Sequence, residues 1–174
     1  ATPDQAAAVA ALGQGAQGGQ DDFTYTVTDD HGASTNANLT ITVTGTNNPA
    51  VLSSATVDLN ETNAALTTGG TLTVSDVDSA ATFQAQNNVA GNYGHFSINA
   101  AGVWSYTANS AFDNLNSGDT LTDTFTVKSA DNTATSVTVN IHGTNDAAVL
   151  SSAAVDLNET NAALTTGGTL TVSD

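Results

Sequence analysis

The sequence predicts an all-β protein built from tandem β-sandwich repeats. Short runs in which β-branched or aromatic residues alternate with polar ones, bounded by Gly, Asn and Asp, are typical of strands that bury one face. Residues 149–174 repeat residues 51–76 with a single change, from Thr56 to Ala154, so the repeat period from 51 to 149 is 98 residues. The chain is 39% hydrophobic over 174 residues, which is enough for a layered β core.

The repeat divides the chain into three parts. The stretch FTYTVTDDHGASTNANLTITVTGTNNPA at 23–50 resembles DTFTVKSADNTATSVTVNIHGTNDAA at 123–148, with a two-residue length difference that we expect in the turn. We therefore predict that residues 1–50 are the C-terminal part of a preceding repeat and 51–148 one complete immunoglobulin-like repeat. Residues 149–174 are predicted to be the N-terminal strands of a following repeat.

Seven strands are predicted in the complete repeat, as in an immunoglobulin-like sandwich. They lie at 52–59, 70–75, 81–86, 94–98, 103–108, 120–128 and 134–142. Residues 99–102 predict a hairpin turn, and residues 110–119 a longer crossing with one helical turn. Residues 1–20 take the place of that crossing in the preceding repeat and predict a loop or a short helix, because an Ala run ends in Gly. The predicted core is Val74, Phe96, Ile98, Trp104, Tyr106, Leu121, Phe125, Val127, Val137, Val139 and Ile141.

The charge balance narrows the possible partners. Seventeen Asp and Glu residues face one basic residue, Lys128, and the net charge is −16. This excludes nucleic acid, which needs Lys and Arg to neutralise phosphates, and disfavours anionic membranes. No run of 18 apolar residues exists, so we expect no direct membrane insertion. Carboxylates without basic neighbours are either dispersed in water or neutralised by bound cations.

The carboxylates are predicted to gather at the two ends of the complete repeat. If the strands run up and down, the loops with Asp76, Asp78 and Asp131 lie at the end where the linker with Asn47 arrives. The opposite end collects Glu61, Asp113, Asp119 and Asp146, the last in the linker that leaves the repeat. Ca²⁺ prefers six to eight such oxygens, so we predict calcium at the junctions. The alternative is that these Asp and Asn residues only form turns.

Other sites have weaker support. The residues His31, His95 and His142 share no predicted site, and we expect them at the surface. Glu61 and Asp119 could be a carboxylate pair for glycoside hydrolysis, but that chemistry needs an aromatic-lined cleft. We therefore expect neither catalytic residues nor an organic cofactor. Asp58 and Asp123, in strands, are expected to face solvent.

Two rival functions remain open. A carbohydrate- or protein-binding module would need an exposed aromatic platform, for which Tyr93 is the candidate. A self-assembling filament would use the terminal strands of one chain to complete a neighbour's sandwich, although 1–50 and 149–174 together lack three strands.

Four motifs give the chain a family resemblance: TLTVSDVDS, YGHFSINAAGVWSYTAN, LTDTFTVKSADN and GTNDAA. They resemble VCBS-type repeats, the cadherin-like or bacterial immunoglobulin-like modules of giant RTX-type adhesins. The resemblance implies an extender of a secreted Gram-negative surface protein, exported by a type I system, that acts in adhesion and biofilm formation. Its partners would be neighbouring repeats and possibly other copies in a fibre. It also implies calcium between repeats, at Glu61, Asp76, Asp78, Asn145, Asp146 and Asp174. Asn48 stands where this family usually has Asp.

Overall fold

The complete repeat folds as two facing β-sheets in the computed structural model, which describes residues 3–173. The elements are α1 (Pro3–Ala10), β1 (Gln17–Thr28), β2 (Ser34–Thr44), β3 (Val51–Leu52), β4 (Ala55–Asn60), β5 (Thr67–Thr71), β6 (Val74–Ser75), β7 (Gln86–Ala90), β8 (Gly94–Ile98), β9 (Val103–Ala108), β10 (Thr120–Lys128), β11 (Ala134–His142), β12 (Val149–Leu150) and β13 (Val172–Ser173). One sheet has the order β5-β9-β8-β7 and the other β10-β11-β4. The predicted all-β sandwich is confirmed.

Strand pairing follows the usual pattern of such sandwiches. Neighbours are antiparallel except β4, which runs parallel to β11 with Ala55 opposite Val137 and Leu59 opposite Ile141. The short strands β3 and β6 pair with each other. β4 lies near the start of the repeat 51–148 and β10–β11 near its end. Residues from both ends of the repeat therefore pair within one sheet.

The core lies between the two sheets and is built from alternate residues of four strands. In β8, β9, β10 and β11 every second side chain points inward, as the period-two pattern requires. The Phe96 ring stacks on Phe125 with centroids 4.7 Å apart. Nine of the predicted core residues are buried, and Val74 and Leu121 are partly buried. Leu72, Phe83 and Ala108 complete this core and were not predicted.

Three predicted strands have different bounds in the structure. The strand predicted at 52–59 is divided at Ser53 and Ser54 into β3 and β4, which pair with β6 and β11. The strand predicted at 70–75 is interrupted, because the buried Leu72 donates its N–H to the Gly102 carbonyl while the chain passes from β5 to β6. The strand predicted at 81–86 is wrong. Phe83 forms an isolated bridge to Ser129, and β7 begins only at Gln86, with an irregularity before Val89. Phe83 donates its N–H to one loop and Gln84 to β10, so no continuous ladder can form there.

The crossing at 110–119 contains turns and no helical turn. Leu115 donates to the Phe112 carbonyl and Asp119 to the Asn116 carbonyl. Phe112 has a positive φ of 64°, which a right-handed helical turn does not allow.

The hairpin β1–β2 is longer than its counterpart β10–β11. Both turns have five residues, 29–33 and 129–133, with the same backbone hydrogen bonds. The length difference therefore lies in the strands, and its expected place in the turn is wrong. Residues 12–16 occupy the position that the crossing 110–119 has in the complete repeat. The Gly45 N–H donates to the Ala16 carbonyl, as the Gly143 N–H does to the Asp119 carbonyl.

The segment 149–173 shares only part of the local conformation of 51–75. β12 pairs with β13 as β3 does with β6. The Ser151 N–H donates to the Thr171 carbonyl, and the Thr171 N–H to the Ser151 hydroxyl at 2.7 Å, as in the complete repeat. Residues 153–158, which match β4, form no strand here and are exposed.

Candidate metal centre at the linker

Three loops converge on the linker 45–50 that enters the complete repeat. Asp76 follows β6 directly, Asp78 comes two residues later, and Asp131 lies in the β10–β11 turn. The Asn48 N–H donates to Asp78 Oδ2 at 2.8 Å, and Asn47 Nδ2 donates to Asp131 Oδ2 at 3.1 Å. The structure thus places these four predicted residues around the linker.

Asp76 has one satisfied and one unsatisfied carboxylate oxygen. Its Oδ1 accepts the N–H groups of Asp78 (3.0 Å) and Ser79 (2.9 Å), the turn-forming role that a short acidic side chain often has. Its Oδ2 is buried and accepts no hydrogen bond, the one such atom among the side chains that the structure describes, those of residues 7–173. A buried carboxylate oxygen without a partner is costly, and a hard cation is the partner it fits.

The pKa of Asp76 is the result of opposing effects. The Asp78 N–H has the largest effect and lowers the pKa of Asp76, while burial and the negative charge of Asp131 act to raise it. Asp76 is therefore an anion that the negative charge of Asp131 repels, and the chain's single basic residue, Lys128, makes no salt bridge in the described residues.

Asp131 anchors the linker. Its Oδ2 accepts from Asn47, from the Ala50 N–H at 3.1 Å and from Thr133 Oγ1 at 2.8 Å. The Ser129 hydroxyl donates to the other oxygen and is the main cause that holds the pKa of Asp131 well below its usual range. Because these oxygens already accept several donors, we assign Asp131 to fixing the linker.

The segment before the linker also reaches this site. A Cβ on Gly13 would lie 3.1 Å from the Asp78 carbonyl oxygen, and Asn48 Nδ2 donates to the Ala10 carbonyl at 3.4 Å. Gly45 is buried against Leu12 and Gly13, where a side chain would overlap their backbone. The junction is therefore packed on both sides of the linker.

The opposite end of the repeat is organised around Glu61. Glu61 is only 3% exposed, and its Oε1 accepts the Thr144 N–H and hydroxyl, both at 2.9 Å. Asp119 Oδ2 accepts the Asn116 N–H. Asp113, Asn145 and Asp146 are exposed, and Asp174 lies outside the described residues. The structure joins Glu61 to the outgoing linker and does not bring it together with the other carboxylates of this end.

One acidic group was not predicted from the sequence. Asp29, Asp30 and His31 form the only group of three acidic or histidine side chains, in the part of the chain described, whose ligand atoms lie within 4.8 Å of one another. All three are exposed, and Asp29 Oδ1 accepts the N–H groups of His31 and Ala33. These bonds are those of a turn.

The histidines occupy three separate surface positions. His31 is exposed, and His95 and His142 are half-buried. His142 Nε2 lies 3.2 Å from Asp58 Oδ1, which also accepts from Asn140. The Asn140 and His142 hydrogen bonds lower the pKa of Asp58. Asp58 faces outward, as predicted.

Asp123 is buried, and its predicted exposure is wrong. The inward alternation of β10 includes position 123, and the carboxylate accepts from Asn92 N–H (2.8 Å), Tyr93 N–H (3.0 Å) and the Tyr106 hydroxyl (3.0 Å). Burial and this carboxylate raise the pKa of Tyr106. Asp123 thereby ties the loop between β7 and β8 to the core.

Tyr93, the candidate for an exposed aromatic platform, also lies in the loop between β7 and β8. Tyr93 is half-buried and packs edge-on against Phe112 with ring centroids 6.0 Å apart. Its ring is therefore part of the structural support of the loop.

The two facing sheets and the acidic loops around the linker are those of an immunoglobulin-like module. The family model for the bacterial cadherin-like domain matches residues 47–143, more than half of the chain, and the chain belongs to this family. Domains of this family are typically extracellular structural modules rather than enzymes. No curated protein matches the chain. Among the described residues, no helix has the length and apolar character needed to cross a bilayer.

Proposed function

We propose that the chain is an extender segment of a secreted bacterial surface adhesin or fibre, stiffened by Ca²⁺ at the junctions between repeats. Its contribution to adhesion and biofilm formation is mechanical, because each repeat adds length to the surface protein. The resemblance to VCBS-type repeats of RTX-type adhesins supports this role and export by a type I system. The near-identity of residues 51–76 and 149–174 supports a function in length, since repeats that differ little offer few distinct binding surfaces.

The observation that carries the calcium proposal is the buried, unpartnered Oδ2 of Asp76. Asp78, whose carboxylate lies at the linker, supplies further oxygens, as does the amide oxygen of Asn47 after release from Ser79. Ca²⁺ would neutralise the repulsion between Asp76 and Asp131. An ion held between the loops and the linker would restrict the angle at this junction.

A calcium titration tests the proposal. The single Trp, Trp104, lies in the core of the complete repeat and reports its unfolding by fluorescence. Starting from chelator-treated protein, we expect the melting temperature to rise with Ca²⁺, since a ligand at 100 times its Kd stabilises the folded state by about 2.7 kcal/mol. The Asp76→Asn variant should lose most of this rise. The control Asp21→Asn removes the same charge from the exposed hairpin and should keep it.

Two results would contradict the calcium proposal. One is a melting temperature of the unmodified chain that is the same in Ca²⁺ and in chelator. The other is an equal rise for Asp76→Asn and the unmodified chain, which would leave Asp76 as a turn former only. Small-angle scattering with and without Ca²⁺ then measures whether bound ion extends the molecule.

A further inference from the structure

The complete repeat carries an acceptor motif for N-glycosylation at the end of β4. Residues 60–62, Asn-Glu-Thr, have the form Asn-x-Ser/Thr, in which a sugar is attached to the Asn and the hydroxyl two residues later is required. The surrounding letters DLNET at 58–62 return at 156–160, so the motif occurs in both copies of this segment. Asn and Thr are frequent in the chain, and the fold decides whether such a motif is accessible.

The two side chains of the motif face the same outer side of the repeat. Asn60 is the last residue of β4 and is exposed, Glu61 is buried, and Thr62 is exposed. Residues i and i+2 of an extended chain share one face, so the carboxamide and the hydroxyl both face solvent. Glu61 is directed to the opposite side, where it accepts from Thr144. An enzyme can therefore approach both groups of the motif from one side.

The Asn60 carboxamide is free to react. It takes part in no hydrogen bond among residues 7–173, whereas Asp58, on the same face, accepts from Asn140 and contacts His142. The Thr62 hydroxyl bonds only within its own exposed turn, to Ala64. A strand side chain stands roughly perpendicular to its sheet, so Asn60 points sideways to the direction in which β11 leads into the linker. Its exposure therefore belongs to a face of the complete repeat.

A second motif of the same form is held by hydrogen bonds across a strand pair. Residues 38–40, Asn-Leu-Thr, lie in the middle of β2. Asn38 Oδ1 accepts from the Thr24 hydroxyl at 2.9 Å, and the Thr40 hydroxyl donates to Asp22 on β1. Both groups of this motif are already occupied, and its backbone is paired with β1. The chain thus contains an internal comparison for the motif at Asn60.

We propose that Asn60 is an N-glycosylation site whose sugar comes from a glycosyl diphosphate. Asn60 Nδ2 attacks C1 of the sugar, and the bond from C1 to the phosphate oxygen breaks. The diphosphate leaves with the electron pair, the N–C1 bond forms, and Nδ2 gives one proton to a base of the glycosyltransferase. This inference rests on the proposed function, because a bulky, solubilising sugar suits a surface protein. Since Asn60 lies opposite His142, the sugar would stand beside the start of the outgoing linker.

Mass spectrometry of the protein isolated from whole cells of the bacterium that makes it tests the site. Cleavage before each Asp gives the peptide 58–75, identical in sequence to 156–173, and the peptide 30–57, which contains Asn38. We expect the mass of 58–75 to be increased by one or more sugars at its Asn-Glu-Thr motif, and 30–57 to be unmodified. A peptide 58–75 that carries no sugar would overturn the proposal. So would equal modification at Asn38, because the fold would then not select the site.

Variants of the same chain test each side chain of the motif. In chains with Asn158→Gln, where only the first copy of the motif remains, Asn60→Gln and Thr62→Val should lose the sugar. Thr62→Ser keeps the hydroxyl and should keep the sugar, as should Asn63→Gln, which changes an adjacent exposed carboxamide outside the motif. Equal melting temperatures by Trp104 fluorescence show that a lost sugar is not a lost fold. A sugar that persists in Thr62→Val would refute the assigned motif.

Cell fractions distinguish the two sources of a glycosyl diphosphate. The unmodified chain is incubated with membranes, which supply a lipid-linked sugar, or with the soluble fraction and added nucleotide-linked sugars. Transfer in either fraction supports the proposal and identifies the donor, and transfer in neither would overturn it. The calcium titration uses the chain without sugar and is therefore independent. A chain that responds to Ca²⁺ but accepts no sugar would overturn this inference and leave the proposed function in place.

Discussion

The buried carboxylate of Asp123 gives the sharpest prediction about stability. In Asp123→Ala, the Tyr106 hydroxyl and the N–H groups of Asn92 and Tyr93 lose their acceptor. A hydrogen bond to a charged group contributes about 1.5–3 kcal/mol, and such losses within one network are not additive. Because a buried donor left without an acceptor costs about 1–3 kcal/mol, we expect the three lost hydrogen bonds together to lower the free energy of unfolding by about 3–5 kcal/mol.

The assay follows Trp104 fluorescence in urea and on heating. For a domain of about 100 residues each kcal/mol shifts the melting temperature by roughly 4–8 °C, so Asp123→Ala should melt at least about 12 °C lower. Asp123→Asn keeps one acceptor oxygen and should lose less. Thr124→Ala, the adjacent outward-facing position on β10, is the matched control and should change stability by no more than about 0.5 kcal/mol.

Tyr106→Phe separates the hydroxyl from the rest of the network. It removes one donor to the charged carboxylate and leaves both backbone donors, so we expect a loss of about 1.5–3 kcal/mol. An Asp123→Ala chain as stable as Thr124→Ala would refute the reasoning. It would mean that the hydrogen bonds of the carboxylate in the folded protein are no more favourable than its hydrogen bonds to water in the unfolded chain.

Three further predictions concern the close contacts, the core and the pH dependence. A side chain at position 94 would overlap the Tyr106 ring, so Gly94→Ala should lower the free energy of unfolding in urea by about 1–3 kcal/mol. The control Gly19→Ala places its methyl group in open space and should not change this free energy. Equal effects of the two substitutions would contradict the overlap. Phe96→Ala should cost about 3–5 kcal/mol by the loss of a fully buried ring, and a loss below about 1 kcal/mol would mean that the core refills the space. The pKa of Asp131 is lowered by folding, so its stabilisation is complete above the unfolded value of about 3.9 and is lost as the pH falls below that value. Melting temperatures from pH 6 to pH 2 should therefore decrease more for the unmodified chain than for Asp131→Asn, and parallel curves would exclude Asp131 as the cause.

Much of the fold and of the acidic loops around the linker could be predicted from local patterns. Period-two alternation located β8 to β11 because a strand that buries one face must alternate. The up-and-down course of the strands was enough to bring Asp76, Asp78 and Asp131 to the incoming linker, since loops at one end of a sandwich are neighbours whatever the side-chain details.

Contacts between distant residues could not be predicted in this way. The irregular path around Phe83 depends on hydrogen bonds to a loop and to β10, and these are not encoded by the residues beside it. The burial of Asp123 could not be predicted, because a charged residue in a strand usually faces water and its donors come from the β7–β8 loop and from Tyr106. At the outgoing end, Glu61 meets Thr144 across 83 residues of chain, while Asp113 and Asp146 stay exposed.

The sequence by itself determined the repeat, the all-β class, the strong negative charge and the acidic loops, because these follow from residue types and their spacing. Tertiary structure alone decided which carboxylate oxygens are satisfied and which is not. Hydrogen bonding depends on distances between loops that only the packed sandwich sets, and the unpartnered oxygen of Asp76 is a consequence of that packing.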